Sequence, residues 1–280
     1  GAHVYFVNAP QIPMVDVQVV FAAGSAYDGK QWGIAAFANA MLNEGTTEHN
    51  ANQIAAAFDR VGAQVGGGVD RDKAVISLRS LTAIKYLNPA MKTFAEIITQ
   101  ANFPAHAFQR VKSQTLAAIQ QTWQQPSSIA SNAFYRDVYQ NSPYAHPSMG
   151  TLNSIKALTP EAARSFYAKY YVAGNADVII VGDVTKDQAK TIAQHAVGSL
   201  PRGHHAPTLK KANDTTAGGY RFIKFPAQQH TIIIGQVGIA RRDRDYFPLM
   251  VGNRILGGLP LTSLLFEQIR NQRGLAYSVQ

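Results

Sequence analysis

Histidine is the residue type in this sequence best suited to bind a metal or transfer a proton, but its spacing favours neither role. His204 and His205 form the only adjacent pair, and no carboxylate lies near them in the sequence. Adjacent side chains point in different directions, whereas zinc requires several converging ligands. The other histidines are scattered singly, at His3, His49, His106, His146, His195 and His230. The pattern therefore favours a flexible linker pair over a metal site.

Other signatures of catalysis are missing from the sequence. The chain contains 0 Cys, which excludes thiol catalysis, a disulfide scaffold and a cysteine-based zinc finger. No Gly-x-Ser-x-Gly elbow, phosphate-binding loop or dinucleotide fingerprint occurs. The hydrophobic content of 46% excludes a mostly disordered chain. No apolar run approaches the roughly 18–20 residues of a membrane span.

The basic residues are concentrated near the end of the sequence. The 280 residues include 26 Lys and Arg against 17 Asp and Glu, a formal charge of +9. Residues 1–200 hold 15 bases and 13 acids (+2), and residues 201–280 hold 11 bases and 4 acids (+7). Such an excess raises nucleic acid as a partner, but no recognition motif accompanies it. We interpret it as a solvated surface, with a groove for an acidic or peptide ligand as the alternative.

Apolar periodicity predicts the elements that would position any site. Alternation from Val15 to Phe21 predicts a strand, and Gly62 is the expected C-terminal stop of an amphipathic helix. Thr159 and Pro160 suit the N-cap and first position of another helix. The predicted strands are 15–21, a pair within 65–80 around a turn at 70–72, 177–181, 220–225 and 231–237. The predicted helices are 33–42, 52–61, 86–100, 105–124, 128–139, 160–170, 186–197, 246–256 and 261–270.

The order of these elements predicts the fold class and the domains. Strands and helices alternate irregularly, which is typical of an α+β layered domain with a mixed sheet and helices. Residues 201–219 are rich in Pro, Gly, His, Lys and Thr and lack periodicity, as expected of a linker. We predict a first domain over 1–203, a linker over 204–219 and the start of a second domain over 220–280.

A run of residues in the first domain carries a family resemblance. The run is Gly33-Ile-Ala-Ala-Phe-Ala-Asn-Ala-Met-Leu-Asn-Glu-Gly-Thr46. It resembles the signature of the pitrilysin/insulinase family of zinc peptidases, Gly-Leu-Ala-His-Phe-Leu-Glu-His-Met-Leu-Phe-x-Gly-Thr, which contains the inverted zinc motif His-x-x-Glu-His. Further segments resemble later parts of that family in the same order: 146–160, 175–183, 240–247, 253–258 and 261–279. The resemblance implies a pitrilysin-like, processing-peptidase-like fold for nearly the whole chain.

The zinc-binding groups of the family are missing here. In register, the two His ligands fall on Ala36 and Ala40, and the general-base Glu falls on Asn39. The family's third ligand is a Glu in the helix predicted at 105–124, yet no Asp or Glu occurs from Ile97 to Arg136. Zinc needs three protein ligands and a water to supply a hydroxide nucleophile. The resemblance therefore implies a chain that binds no cofactor of its own and is inactive alone.

A second family feature is retained. In active members, an Arg and a Tyr of the second domain bind the substrate backbone and help to stabilise the tetrahedral intermediate. Arg270 and Tyr277 stand at the family spacing here, and both side chains are hydrogen-bond donors suited to a developing oxyanion. Outside this motif, Arg270 would merely suit a helix C-terminus. One departure from the pattern is Leu264, where an Arg usually follows Ser263.

The missing zinc ligands and the retained Arg and Tyr together imply one subunit of a two-subunit enzyme. We expect a non-catalytic subunit that pairs with a homologous zinc-bearing peptidase subunit and acts on a peptide or unfolded protein. Zinc is expected in that partner. The second domain is expected to be truncated, since the family fold requires further strands and helices after Val279.

Two alternatives remain from other classes of protein. The first is a structural or assembly protein of the same fold, as in family members built into respiratory complexes. The second, a nucleic-acid binder, rests on charge alone and is not expected. The absence of Cys is compatible with the bacterial periplasm, and the cytoplasm and the mitochondrial matrix are the alternative compartments.

Overall fold

A five-stranded mixed sheet organises the first part of the chain. In the computed structural model, which describes residues 1–212, 218–259 and 261–279, the strands have the order β1-β5-β2-β4-β3. Their bounds are β1 His3–Asn8, β2 Met14–Phe21, β3 Gln64–Val69, β4 Ala74–Leu81 and β5 Ala176–Gly182. Strands β1 and β5 pair in parallel, and the other neighbours are antiparallel. The predicted mixed sheet is confirmed.

Alternation along the central strand decides which face of the sheet is buried. In β2, Val15, Val17 and Val19 are almost fully buried. On the opposite face, Asp16 lies across from Arg79, whose guanidinium donates to both carboxylate oxygens at 2.7 and 3.0 Å. Successive strand residues point to opposite faces, so the helices cover one face and the other remains partly polar.

The hairpin of β3 and β4 closes around the predicted turn. The Asp70 side chain accepts hydrogen bonds from the backbone N–H groups of Asp72 and Lys73, both at 2.8 Å. This is the local bonding that makes Asp a turn former. The predicted strand pair within 65–80 is therefore confirmed, with its turn in the expected place.

Eight helices accompany this sheet within the described residues of the first part of the chain. They are α1 Ile34–Ala40, α2 Ala51–Val61, α3 Ile84–Thr99, α4 Ala105–Thr122, α5 Pro126–Tyr139, α6 Leu152–Ala157, α7 Pro160–Tyr170 and α8 Lys186–Val197. Gly62 ends α2 in the left-handed conformation at φ 64°, and Thr159 caps α7 with Pro160 as its first residue. Both predicted helix boundaries are confirmed. None of the helices in the described ranges combines the length and apolar character needed to cross a membrane.

The chain divides into two compact units, Gly1–Ile234 and Gly235–Gln280. The second unit contains α9 Tyr246–Asn253, a π-helical turn Arg254–Gly258, and α10 Leu264–Phe266, which continues into a second π-helical turn Glu267–Asn271. The last helix thus begins three residues later than predicted. The domain limits 1–203, 204–219 and 220–280 stay a prediction, and residues 213–217 of the linker lie outside the described residues.

Two predicted strands, at 220–225 and 231–237, are wrong. Neither segment forms a strand in the structure, and side chains such as Tyr220 and Ile234 are 90% and 92% exposed. Alternation indicates only that a segment suits a pleated surface, and a strand also requires a hydrogen-bonded neighbour. No ladder forms with either segment in the part of the chain that the structure describes.

Candidate functional site

The helix that carries the degenerate motif, α1, is fixed at its start by a buried carboxylate. Asp28 Oδ2 accepts from Gly33 N at 2.6 Å, and Oδ1 accepts from Ala35 N at 2.9 Å. His146 Nε2 lies 3.0 Å from the same Oδ2. Burial raises the pKa of Asp28, although these hydrogen bonds act in the opposite direction. The carboxylate therefore ties α1 to a loop far along the sequence.

Gly33 is required where α1 begins. Its φ is 91°, in the left-handed region that favours glycine. A Cβ at this position would lie 2.6 Å from the Met149 backbone oxygen. The backbone of the 146–151 loop thus closes directly over the first turn, and the scaffold of the motif is retained in detail.

The three motif positions share the outer face of α1. Ala36 and Asn39 are half-buried and Ala40 is exposed, whereas Phe37 on the opposite face is buried. Residues spaced by three and four positions lie on one helix face, so the face that would present zinc ligands exists here without them. Alanine methyl groups offer no lone pair, and a family zinc ion does not fit this donor set.

The Asn39 side chain forms structural hydrogen bonds. Its Nδ2 lies 3.3 Å from the Tyr171 hydroxyl and 3.5 Å from the Val75 carbonyl oxygen, donating to both. Burial raises the pKa of Tyr171, so its hydroxyl keeps its proton. An amide in this position also cannot take up a proton as the general base of a hydrolysis would.

The helix that would supply the third ligand lies beside α1. The rings of Phe37 in α1 and Phe108 in α4 have centroids 4.8 Å apart. The predicted helix at 105–124 is confirmed as α4, but it carries no acidic residue. The helix α1, with the predicted motif positions, and the helix α4 thus lie side by side, and α4 offers no acidic ligand between them.

In the second unit, the structure brings Arg270 and Tyr277 together. Gly274, at φ 63°, reverses the chain, and its N–H bonds to the Arg270 carbonyl at 2.9 Å. The Arg270 guanidinium carbon consequently lies 4.9 Å from the centre of the Tyr277 ring and 4.8 Å from that of Phe266. Arg270 is half-buried and Tyr277 is 82% exposed. The Arg270 guanidinium and the Tyr277 hydroxyl, both hydrogen-bond donors, therefore lie in one turn, and the Tyr277 side chain is open to solvent.

Sequence reasoning missed another group of polar side chains. Glu48, His49 and Glu96 each offer a ligand atom within 4.8 Å of the others. The only local signal is the adjacency of Glu48 and His49, and nothing in the sequence connects them to Glu96 in α3. The His204–His205 pair is in no such group among the described residues, and His205 Nδ1 lies 2.8 Å from the Ala206 carbonyl oxygen.

Comparison with known proteins defines the class of this chain. Residues 3–152 match the model of the insulinase family, peptidase family M16, and residues 157–280 match that of the peptidase M16 inactive domain. The chain therefore belongs to the M16 peptidase family, which confirms the resemblance drawn from the motif.

Among the similar proteins, some are named as proteases and one is named as a non-peptidase. An uncharacterized zinc protease of Rickettsia felis is 29% identical over 285 residues, covering 100% of this chain and 67% of that protein. A non-peptidase homolog of Helicobacter pylori is 27% identical, covering 96% of this chain and 62% of that one. The chain spans about two thirds of the length of these relatives.

Solved structures confirm the pitrilysin-like α+β fold. The crystal structure of a peptidase M16 inactive domain from Pseudomonas fluorescens is similar with a TM-score of 0.92 and 38% identity, covering 99% of this chain and 67% of that one. A protease from Helicobacter pylori shares the fold at a TM-score of 0.78 and 19% identity, over 97% of this chain and 67% of that one.

Proposed function

We propose that this chain is a non-catalytic subunit of a heteromeric zinc metalloendopeptidase. In this proposal a homologous partner holds the zinc, and Arg270 and Tyr277 bind the peptide and stabilise the transition state in that partner. The observation that supports it is the outer face of α1, where Ala36 and Ala40 offer no metal ligand and Asn39 is bonded to Tyr171.

The chemistry of peptide hydrolysis explains why such a chain needs a partner. Hydrolysis requires a metal-bound water and a base that accepts its proton. Asn39 cannot accept that proton, and α4 carries no carboxylate that could hold the metal. The zinc of a partner would supply the activated water, and this chain would contribute binding and orientation.

The geometry of Arg270 and Tyr277 supports their proposed part in catalysis. A guanidinium is charged at every working pH and presents several donors in one plane. The contact between the Arg270 guanidinium and the Tyr277 ring, at 4.9 Å, holds the two side chains in one place. A peptide carbonyl that approaches the exposed Tyr277 would meet both a cation and a phenolic O–H. Removing one such donor from an oxyanion site costs about 10²–10³-fold in kcat.

Reconstitution with the homologous zinc-bearing subunit of the same organism tests the proposal. The mixture, assayed on an unstructured peptide, is expected to be active, and Arg270→Ala to lower kcat by about 100-fold. Arg273→Ala, an exposed arginine in the same turn, is the matched control and should leave the rate unchanged. The proposal fails if the mixture is no more active than the zinc subunit alone, or if both substitutions have the same effect.

The alternative function is that of a structural or assembly protein with no role in proteolysis. The Helicobacter pylori relative named a non-peptidase homolog favours it. This alternative predicts stable incorporation into a larger complex that has no peptidase activity, together with tolerance of Arg270→Ala and Tyr277→Phe. The periplasmic compartment stays a prediction, which fractionation of the producing cells would test.

A further inference from the structure

The cluster formed by Glu48, His49 and Glu96 (the 48/49/96 cluster) lies in the first unit and includes none of the three motif positions Ala36, Asn39 and Ala40. Glu48 and His49 belong to the loop between α1 and α2, and Glu96 lies in the last turn of α3. They border a groove of about 240 Å³, lined also by Met91, Lys92, Ala95, Thr99, Gln100, His195 and Ser199. We propose that this cluster binds a divalent transition-metal ion, with zinc as the ion of choice.

The first argument is the state of the Glu96 side chain. It is 96% buried, being 4% exposed. Its Oε1 accepts from Thr46 Oγ1 and lies 2.8 Å from His49 Nδ1. Within the described residues, Glu96 Oε2 has no hydrogen-bond partner and is not one of the fully buried unpartnered atoms. Glu96 lines the groove, so this buried carboxylate keeps one oxygen that is not bonded to the protein.

The second argument is the charge of the cluster. The carboxylates of Glu48 and Glu96 offer oxygens within 4.8 Å of each other, an arrangement in which like charges repel. Lys92 borders the groove, but within the described residues its ammonium lies within 4.0 Å of no carboxylate oxygen. Glu96 is paired with His49 at 2.8 Å, and a metal ion held by both carboxylates would offset the repulsion that remains between Glu48 and Glu96.

The distances suit a small cation. With bonds of about 2.1 Å, neighbouring ligand atoms of a tetrahedral zinc ion stand about 3.4 Å apart. His49 Nδ1 and Glu96 Oε1, at 2.8 Å, are about 0.6 Å closer than neighbouring ligands of tetrahedral zinc. A bound ion would replace their hydrogen bond and part the two atoms slightly, and Glu48 is exposed and free to change rotamer. One imidazole and two carboxylates are a borderline donor set that suits zinc better than calcium or magnesium. The groove leaves room for a water as the fourth ligand.

The loop that supplies two of the three ligands is held rigidly. Thr46 Oγ1 accepts from Glu48 N at 3.2 Å and from His49 N at 2.9 Å. Thr47 N bonds to the Gln100 carbonyl at 3.2 Å, beside the C-terminus of α3. A site whose loop is ordered by other contacts loses little entropy when it binds an ion. The cluster thus has a positioned histidine, a positioned buried carboxylate and one adjustable carboxylate.

Zinc titration of the untagged full chain tests the site. Isothermal calorimetry is expected to give one zinc ion per chain, and zinc is expected to raise the melting temperature by binding the folded state. Glu48→Gln keeps the shape of an exposed side chain and should weaken zinc binding at least about tenfold. Glu48→Gln combined with His49→Gln should abolish it. Magnesium at the same concentration should not bind.

Matched controls separate this site from its rivals. His204→Gln with His205→Gln removes the other histidine pair, and Glu161→Gln removes an exposed carboxylate on α7; both variants should bind zinc like the wild type. If zinc binding is absent, unaffected by Glu48→Gln, or lost with the His204 and His205 pair, the site is not the 48/49/96 cluster. Because the cluster is separate from Arg270 and Tyr277, either proposal can fail while the other holds.

Discussion

The outer face of α1 and the turn that holds Arg270 and Tyr277 differ in what they retain. Around α1, the Asp28 carboxylate accepts two buried hydrogen bonds and Asn39 donates to Tyr171, while Ala36 and Ala40 offer no metal ligand. In the turn, Arg270 and Tyr277 are both hydrogen-bond donors, and Tyr277 is largely exposed. Under the proposed function, the comparison separates the scaffold of an active site from its chemistry. We therefore expect the first region to govern stability and the second to govern reactivity.

The largest expected effect on stability is at Asp28. Substitution Asp28→Ala removes the acceptor of two backbone N–H groups and the buried partner of His146, and should lower the free energy of unfolding by about 3–5 kcal/mol. Asp16→Ala removes the carboxylate of an ion pair on the open sheet face and should cost no more than about 1 kcal/mol. Urea denaturation of both variants measures the difference. Equal losses would mean that Asp28 does not hold α1.

A smaller loss is expected at Gly33. Gly33→Ala introduces strain at positive φ, about 1–3 kcal/mol, and a collision with the Met149 backbone oxygen. The total should be at least about 2 kcal/mol. Gly62→Ala is the matched control, since its φ is also positive at 64° but nothing lies within 4 Å of its Cβ. The two melting curves compare strain with and without collision, and a greater loss in the control would contradict the close packing of α1.

The contribution of Asn39 to the free energy of unfolding should be smaller than that of Gly33. Asn39→Ala leaves the buried Tyr171 hydroxyl without the donor described here, which should cost about 1–2 kcal/mol. Peptidase activity of a reconstituted complex should not change, because Asn39 acts on the scaffold. Asn43→Ala, at an exposed position, should cost less than about 0.5 kcal/mol. A loss of activity with unchanged stability would instead assign Asn39 a chemical role.

The smallest effect on stability is expected in the second region. Arg270→Ala and Tyr277→Phe should each change the free energy of unfolding by no more than about 0.5 kcal/mol, as for most partly exposed positions. Thermal melting of the isolated chain checks this. Combined with the loss of rate proposed for Arg270→Ala, the result would separate stability from reactivity. A loss of several kcal/mol would show that Arg270 mainly supports its own turn.

Local patterns could predict part of this molecule, and long-range contacts explain the rest. The alternation of Val15, Val17 and Val19 identified β2, and Gly62 marked the end of α2, because both signals act over a few residues. The edge strand β1 was not predicted, since its pairing with β5 joins residues such as His3 and Asp177 that are distant in sequence. The predicted strands at 220–225 and 231–237 were wrong for the converse reason. Their local pattern suits a strand, but neither segment has a neighbouring strand to pair with among the described residues.

The candidate site residues also divide into those that a local pattern predicts and those that depend on long-range contacts. The prediction that Ala36 and Ala40 replace two zinc ligands, and Asn39 a general base, rests on one short motif. The 48/49/96 cluster could not be predicted, because 47 positions separate His49 from Glu96 and only the packing of a loop on α3 brings them together. The hydrogen bonds of Asn39 were equally invisible, since Tyr171 lies 132 positions away.

The hydrogen bond between Asp28 and His146 has a consequence for the order of folding. It joins residues 118 positions apart, and contacts of such separation form late because a long loop must first close. Residues 34–40 form a short helix that is marginal in isolation, so α1 depends on the arrival of the 146–151 loop. We therefore expect substitutions at Asp28 to accelerate unfolding and to leave the refolding rate nearly unchanged. In φ-value analysis, Asp28 should then have a low φ-value.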